Sequence, residues 1–560
     1  MDQLPAAAFI GSNSWVLGPT KTKSGRAILA NDPHIGYSQP AVWYEAHIEA
    51  PGFSLYGFHL AGFPFAVIGH NRRMATGMTM FENDDIDLYF EKISKSDTSR
   101  YIQDGISKVL TYRQETIIVK DSSDILLNVR STAHGPIMNQ ALGLSDSIPP
   151  VTMMWTYLQL PSDELEVLYK LQRAKGIHEA RNQIAKIHAP GLNMMYADVG
   201  GNYARWSAAT LTHRSQSATP KLIMDGSDSK NDPLGYYDFS YNPKSENAPW
   251  GYAYSANNQP DSIHGISHPG YYLPEDRANR IIELLDQDKK WDVKGTQAMM
   301  LDYQSNTAMS INQSILQSLD YGHLKEPVHQ SVLDLLKDWD GNFKEDDPIG
   351  TVFNKLIFKI QQLAMQDELG KESFEAYLKT HVMKRSLEPL IANDSSVWWD
   401  DVTTEEKESR TDIITEAFIS GIQELQTQLG DQVSDWQWGK VHQLEHQHVF
   451  GKVALLRGIF NVGPFEVSGS NEVINNYLFS LNEMGEAHVH AGPSTRRIVD
   501  FADVEKNSWS ILPTGNSGNI FSPHYEDQAK MYVQGKFRRM LMNKKEIKSI
   551  SKAPLILVPK

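Results

Sequence analysis

Six short runs within the first ninety residues, at 12–18, 27–31, 42–50, 53–60, 66–70 and 74–80, are rich in aromatic and β-branched side chains. Gly, Pro and Asn punctuate them and some alternate in polarity, the pattern of hairpins in an antiparallel sheet. Helical periodicity follows at 163–175 and 177–186. Two more strands are expected at 192–199 and 203–209, joined by the turn Gly200-Gly201-Asn202. From about 281 to 430 the chain is helix-patterned (297–319, 331–339, 353–366, 413–429), poor in Gly and rich in Glu, Gln, Lys and Leu. That stretch reads as a helical insertion. Residues 431–535 return to Gly- and aromatic-rich strands, and 536–560 form a basic tail whose plain reading is a solvated terminal segment.

At 560 residues the chain has room for three or four domains of about 150 residues, or for one large α/β body carrying an insertion. With 68 acidic against 53 basic residues the formal charge is −15, so the cationic face that a phosphate backbone demands is not expected. There is no cysteine, which excludes disulfides, thiolate metal sites and a cysteine nucleophile together. No run reaches the roughly 18 apolar residues of a membrane span. The apolar stretch 5–10 is shorter than the h-region of a signal peptide, about 7–15 residues, so any export address would lie outside this sequence.

The serine-hydrolase pattern G-x-S-x-G does not occur; Gly515-Asn516-Ser517-Gly518-Asn519 fails at its last position. Phosphate-binding glycine motifs are also missing. One cluster, His442, Glu445, His446 and His448 with His488 and His490 further on, has an i, i+4 pair that one helix face could turn toward zinc. Its order, H-x-x-E-H-x-H, is not that of the zinc peptidases, and Trp436, Trp438 and Gly439 upstream favour packing. A third candidate is Gly11-Ser12-Asn13 at the mouth of a strand. In order along the chain it is joined by Asn31-Asp32-Pro33-His34, Gly69-His70-Asn71, Asn83-Asp84-Asp85-Ile86-Asp87, Ser255-Ala256-Asn257-Asn258 and Asp276-Arg277.

With these motifs, and with Gly492-Pro493-Ser494-Thr495-Arg496-Arg497, the segment 512–518 and the segment 522–528, the chain resembles the β chain of the penicillin acylase family of N-terminal-nucleophile hydrolases along nearly its whole length. The resemblance implies an α+β fold, an αββα sandwich of two antiparallel sheets between helical layers. Residues 12–280 would be the first part of its core, 281–430 an insertion and 431–535 the return to the core. It implies self-cleavage at Gly11–Ser12, with 1–11 as the end of a spacer, and an acyl-enzyme on Ser12 whose freed α-amine is the base. Such an amine titrates near 7.7–8.0 and is partly free base at neutral pH. The oxyanion donors would be the Met80 backbone N–H and the Asn257 carboxamide. His34 would orient the Ser12 amine and hydroxyl, and Arg277 would hold Asn257 and the substrate side.

Ile35, Ile68, Met78 and Leu192 align with the acyl pocket and suggest aliphatic acyl chains. Asp84, the carbonyls of Ile86 and Pro220, and Asp87 match a calcium-binding turn, with Asp261 as a guess for one further ligand. The expected partners are an α chain, of which only residues 1–11 could be a remnant here, and a small-molecule acyl amide. Without that α chain, low stability and little activity are expected. A periplasmic or extracellular location is what the resemblance suggests. The rival readings are a catalytically inactive, calcium-stabilised binding protein of the same fold and a zinc hydrolase using His442, His446 and His448.

Overall fold

The computed structural model describes residues 9–145, 147–161, 163–551 and 555–556. Residues 1–8 of the expected spacer, and 552–554 and 557–560 of the expected tail, lie outside these. Two seven-stranded antiparallel sheets form the centre. The first runs Tyr252–Ser255, Phe9–Leu17, Ile28–Gly36, Arg496–Asp500, Trp509–Ile511 and Arg538–Arg539, with Ala491–Pro493 also paired to Ile28–Gly36. The second runs Lys244–Glu246, Tyr203–Ala208, Leu192–Asp198, Met74–Met80, Ile68–His70, Phe53–His59 and Tyr44–Ala50.

Side-chain alternation explains the layers. Successive residues of a strand face opposite sides. Val16 and Leu29 enter the apolar cluster shared with the second sheet, whereas Trp15, Leu17, Ile28 and Ala30 pack under the helices Asp276–Asp286 and Val293–Met300. The outer face of the second sheet is covered by Glu164–Leu171 and Ile177–Ile184, which bury Val167, Leu171, Ala180 and Ile184. Each large aliphatic side chain so buried contributes about 1.5–3 kcal/mol. The result is helices, sheet, sheet, helices: the expected αββα sandwich.

Asn31 ties the sheets together beneath the site. Its Nδ2 donates to the carbonyls of Asn13 (3.0 Å) and Met78 (2.9 Å), and its Oδ1 accepts from Met78 N at 3.1 Å. Gly77 makes that approach possible, since a Cβ there would come within 3.0 Å of the Asn31 side chain.

The helices Asn306–Ser318, Pro327–Asp338, Ile349–Tyr377, His381–Ala392 and Arg410–Leu429 enclose a core of their own that includes Val352, Leu356, Ile360, Phe418 and Ile422. The single helix expected over 297–319 is two, Val293–Met300 and Asn306–Ser318. Ser305 starts the second by accepting from Ala308 N, so a polar cap divides what apolar periodicity joined. The tail also differs from expectation. Arg538–Arg539 adds an edge strand to the first sheet, and Met540 and Met542 just beyond it are buried in the apolar cluster with Val499, Phe501 and Leu512. Among the described residues no helix is long and apolar enough to cross a membrane.

Candidate active site

The site forms where the first sheet runs out of partners. Gly18 N donates to Gly251 O at 2.8 Å, and every second residue back from it, Val16 then Ser14, meets Ala253 then Ser255 on the same edge. Ser12 is next, yet the partner strand ends at Ser255. Asn257 turns away with φ of +65°, a left-handed conformation that asparagine tolerates. Side chains replace the absent rung. Ser12 N donates to Asn257 Oδ1 at 2.6 Å, and Ser12 O accepts from Arg277 Nη1 at 2.8 Å. Pro33 faces Ser12 across the ladder and has no N–H of its own to offer. The Ser12 hydroxyl donates to the Gly11 carbonyl, beside the bond expected to break.

Arg277 is wholly buried at the start of the Asp276–Asp286 helix. It also donates to Asn13 Oδ1 (2.7 Å) and Asn257 Oδ1 (3.3 Å), and pairs through Nε with Glu472 at 3.4 Å. Asn257 Nδ2 donates to Met80 O at 2.9 Å, so the carboxamide is fixed at both ends. Met80 faces Leu192 beside the bonded pair Phe81 N–Gly191 O, so its own N–H points out of that ladder. On the open side the neighbouring strand stops at Ile68, opposite Gly77. Asn193 Nδ2 reaches Thr79, Met80 O and Ser255, which braces this corner.

The ring of His34 does not reach Ser12. Residues 34 and 12 differ in parity across the ladder, which puts His34 on the helical face with Asn13 and Asp32 while Ser12 faces the second sheet. Its Nε2 lies 3.3 Å from Asn13 Nδ2 and 3.4 Å from Asp32, and Asn476 meets Nδ1 at 3.3 Å. Burial lowers its pKa despite Asp32. Ile35, Ile68 and Met78 are buried in one apolar cluster, with Leu192 packed against it. Ile35 lies on the Ser12 face of the first sheet, whereas Met78, next to the inward-facing Gly77, points to the helical side of the second.

Asp84 and Asp87 also come together, but on Arg214. Its Nε donates to both Asp87 oxygens (3.1 and 3.0 Å) and its Nη2 to Asp84 O at 3.1 Å. Burial, with Asp87 and Asp85 nearby, pushes the Asp84 carboxyl up to about 6 even beside that guanidinium. This surplus of hard, acidic oxygens fits a divalent cation in chemistry. Among the described residues, however, no third carboxylate or histidine completes a metal-holding group. Pro220 precedes Lys221, which borders the same hollow as Asp84; Asp261 borders another, with Arg205 and Tyr254.

The histidine cluster is packing. Gln443–His446 is a strand, so His442 and His446 do not share a helix face. His442 bonds Val467 O at 2.8 Å and stacks on Trp438, His446 lies edge-on to Tyr37, and His448 accepts from Phe450 N. Glu445 is engaged by Arg457 and His488 by Glu486. Burial holds His442 at about 4 and His446 at about 3. The zinc reading falls on this geometry.

The family model for penicillin amidase matches residues 2–549. The chain belongs to the penicillin amidase family. It is 28% identical to the acyl-homoserine lactone acylase QuiP of Pseudomonas aeruginosa over 96% of this chain and 67% of that one. To penicillin G acylase of Escherichia coli it is 24% identical, over 98% and 65% of the two chains. The structure of the thermostable penicillin G acylase from Alcaligenes faecalis matches with a TM-score of 0.74 at 21% identity, covering 98% of this chain and all of that one. The expected enzyme class, an amide hydrolase of the penicillin amidase type, stands on this membership. Asn13, Asn193, Lys384 and Glu472 escaped the sequence reading. Only Asn13, next to Ser12, carried a signal that could have found it.

Proposed function

We propose that this penicillin amidase hydrolyses a linear N-acyl amide, such as a β-lactam side chain or an N-acyl homoserine lactone, through an acyl-enzyme on Ser12. The observation that carries the reading is the pair of bonds from the open ladder edge, Ser12 N to Asn257 and Ser12 O to Arg277. In self-cleavage Ser12 Oγ adds to the Gly11 carbonyl carbon and the Gly11–Ser12 C–N bond breaks. The ester so formed is then hydrolysed by water, leaving a free α-amine at Ser12. In turnover that amine, acting through a water, takes the hydroxyl proton as Oγ attacks the substrate carbonyl, and returns it to the leaving amine. The Met80 N–H and Asn257 Nδ2 would receive the oxyanion, Nδ2 with the hydrogen that its bond to Met80 O leaves free. The apolar cluster that holds Ile35, Ile68 and Met78 supports an aliphatic acyl group.

A partner corresponding to the remaining third of the relatives, the α chain, and a periplasmic or extracellular location belong to the same reading. Calcium is part of it too. Asp84, Asp87 and the carbonyls of Ile86 and Pro220 would hold it, and its chemistry there would be structural, neutralising the acidic turn.

Intact-mass measurement of the full natural polypeptide, wild type beside Ser12→Ala, with turnover of a chromogenic anilide, tests the proposal. Loss of the segment ending at Gly11 and anilide turnover in the wild type alone are expected. Cleavage and turnover that survive in Ser12→Ala would refute it.

A further inference from the structure

Arg277 is a fully buried cation surrounded by neutral acceptors. Ser12 O, Asn13 Oδ1 and Asn257 Oδ1 satisfy its hydrogens without offsetting its charge. The counter-charge comes from Glu472, 195 positions away, whose Oε2 meets Nε at 3.4 Å. A buried cation without such a partner is strongly disfavoured. Because a guanidinium is planar and rigid, fixing Nε also fixes where both Nη groups point. Glu472 is itself only 8% exposed, and its φ of +55° is one that a side-chain-bearing residue keeps only where its surroundings over-determine it.

Its other oxygen, Oε1, accepts from Lys384 on the His381–Ala392 helix. Burial would raise the Glu472 carboxyl, but Lys384 and Arg277 outweigh it and hold the group at about 2, ionised throughout the working range. The other charged groups nearby are His381, whose pKa burial lowers, and Asp276, whose pKa burial raises.

Building on the acyl-transfer reading above, we propose that Glu472 is a positioning residue for the reaction. Anchored by Lys384, it aims Arg277 so that the guanidinium holds Ser12 O and Asn257 Oδ1 in line. The helical region thereby sets the geometry of the nucleophile, although none of the helices from 306 to 429 supplies a group that touches it.

The test uses the full natural polypeptide carrying Glu472→Gln, Glu472→Asp, Lys384→Met or Arg277→Lys, with Ser12→Ala alongside. Glu472→Gln should lower kcat per folded enzyme about 100-fold, the scale of a misplacement near 1 Å, and leave KM in place. Glu472→Asp, which keeps the charge, should recover part of kcat. Glu472→Gln added to Arg277→Lys should cost little more, as expected of residues acting as one unit. Wild-type kcat in Glu472→Gln, or full additivity with Arg277→Lys, would overturn the proposal. If Glu472→Gln does not fold, Lys384→Met carries the test; kcat must fall there at constant KM, and an unchanged kcat overturns the proposal equally. Ser12→Ala separates the two failures. Turnover surviving in it defeats the acyl-transfer reading, whereas an inert Ser12→Ala beside an unimpaired Glu472→Gln defeats only the role of Glu472.

Discussion

Asn257 has separable tasks, and two substitutions tell them apart. Its Oδ1 accepts from Ser12 N and Arg277, while its Nδ2 is the donor held by Met80 O and assigned here to the oxyanion. Asn257→Asp keeps the acceptor and the shape, tolerates the left-handed φ of +65°, and removes the donor. Losing one oxyanion donor costs about 10²–10³ in kcat, or about 2.7–4 kcal/mol, and the added carboxylate would repel the same developing charge. KM should stay near the wild-type value, because the donor acts on the tetrahedral intermediate.

Asn257→Ala removes the acceptor as well. The Ser12 N–H and one Arg277 donor are then buried without partners, at about 1–3 kcal/mol each. Alanine in the left-handed region adds about 1–2 kcal/mol. This variant should therefore lose stability as well as activity, while the aspartate variant loses mainly kcat. Steady-state kinetics on an anilide, with active sites titrated by burst, and thermal unfolding of both variants give the two readouts. An Asn257→Asp enzyme with kcat within about tenfold of wild type would refute the donor assignment.

Acid should weaken the fold through His442 and His446, which are buried neutral at about 4 and about 3. Unfolded histidine titrates near 6.5, so their contribution is complete above that pH and is lost as pH falls below it, where only the unfolded chain takes protons. At pH 5 each should cost about 2 kcal/mol relative to pH 8. His446→Leu should accordingly flatten the pH dependence of urea unfolding, and an unchanged dependence would show that His446 titrates alike in the folded and unfolded chain. Removing calcium with EGTA should lower the melting temperature, and restoring calcium should return it. A melting temperature indifferent to both would leave the ion pairs with Arg214 to balance Asp84 and Asp87.

Local signals carried the sheets into view. The runs at 44–50, 53–59 and 74–80 and the pair around Gly200-Gly201-Asn202 are each legible because a strand's alternation and its turn chemistry sit within ten residues. Asn257 and Arg277 emerged from motif resemblance, and the structure brings both onto Ser12. Glu472 could not emerge, since a carboxylate between Asn471 and Val473 carries no spacing that points 195 residues back. His34 shows the opposite error. Its motif neighbours Ser12 in space, but parity along the strand sends its ring to the other face. The cluster at 442–448 misled for a different reason: i, i+4 spacing brings two side chains within reach of one ion only in a helix, whereas Gln443–His446 is a strand, whose rise of about 3.3 Å per residue spreads them apart.

The ladder also settles what a break before Ser12 would cost. The rungs of Ser14 and Val16 on one edge and of Asn13 and Trp15 on the other lie downstream of 11–12 and would stay, whereas the pairings of Gly11 with His34 and of Phe9 with Ile35 lie on the departing side. Shedding what precedes Ser12 is thus like shortening a joined plank by its last two pegs: the rest of the joint stays closed, and the fresh end stays pinned where Asn257 and Arg277 already hold it.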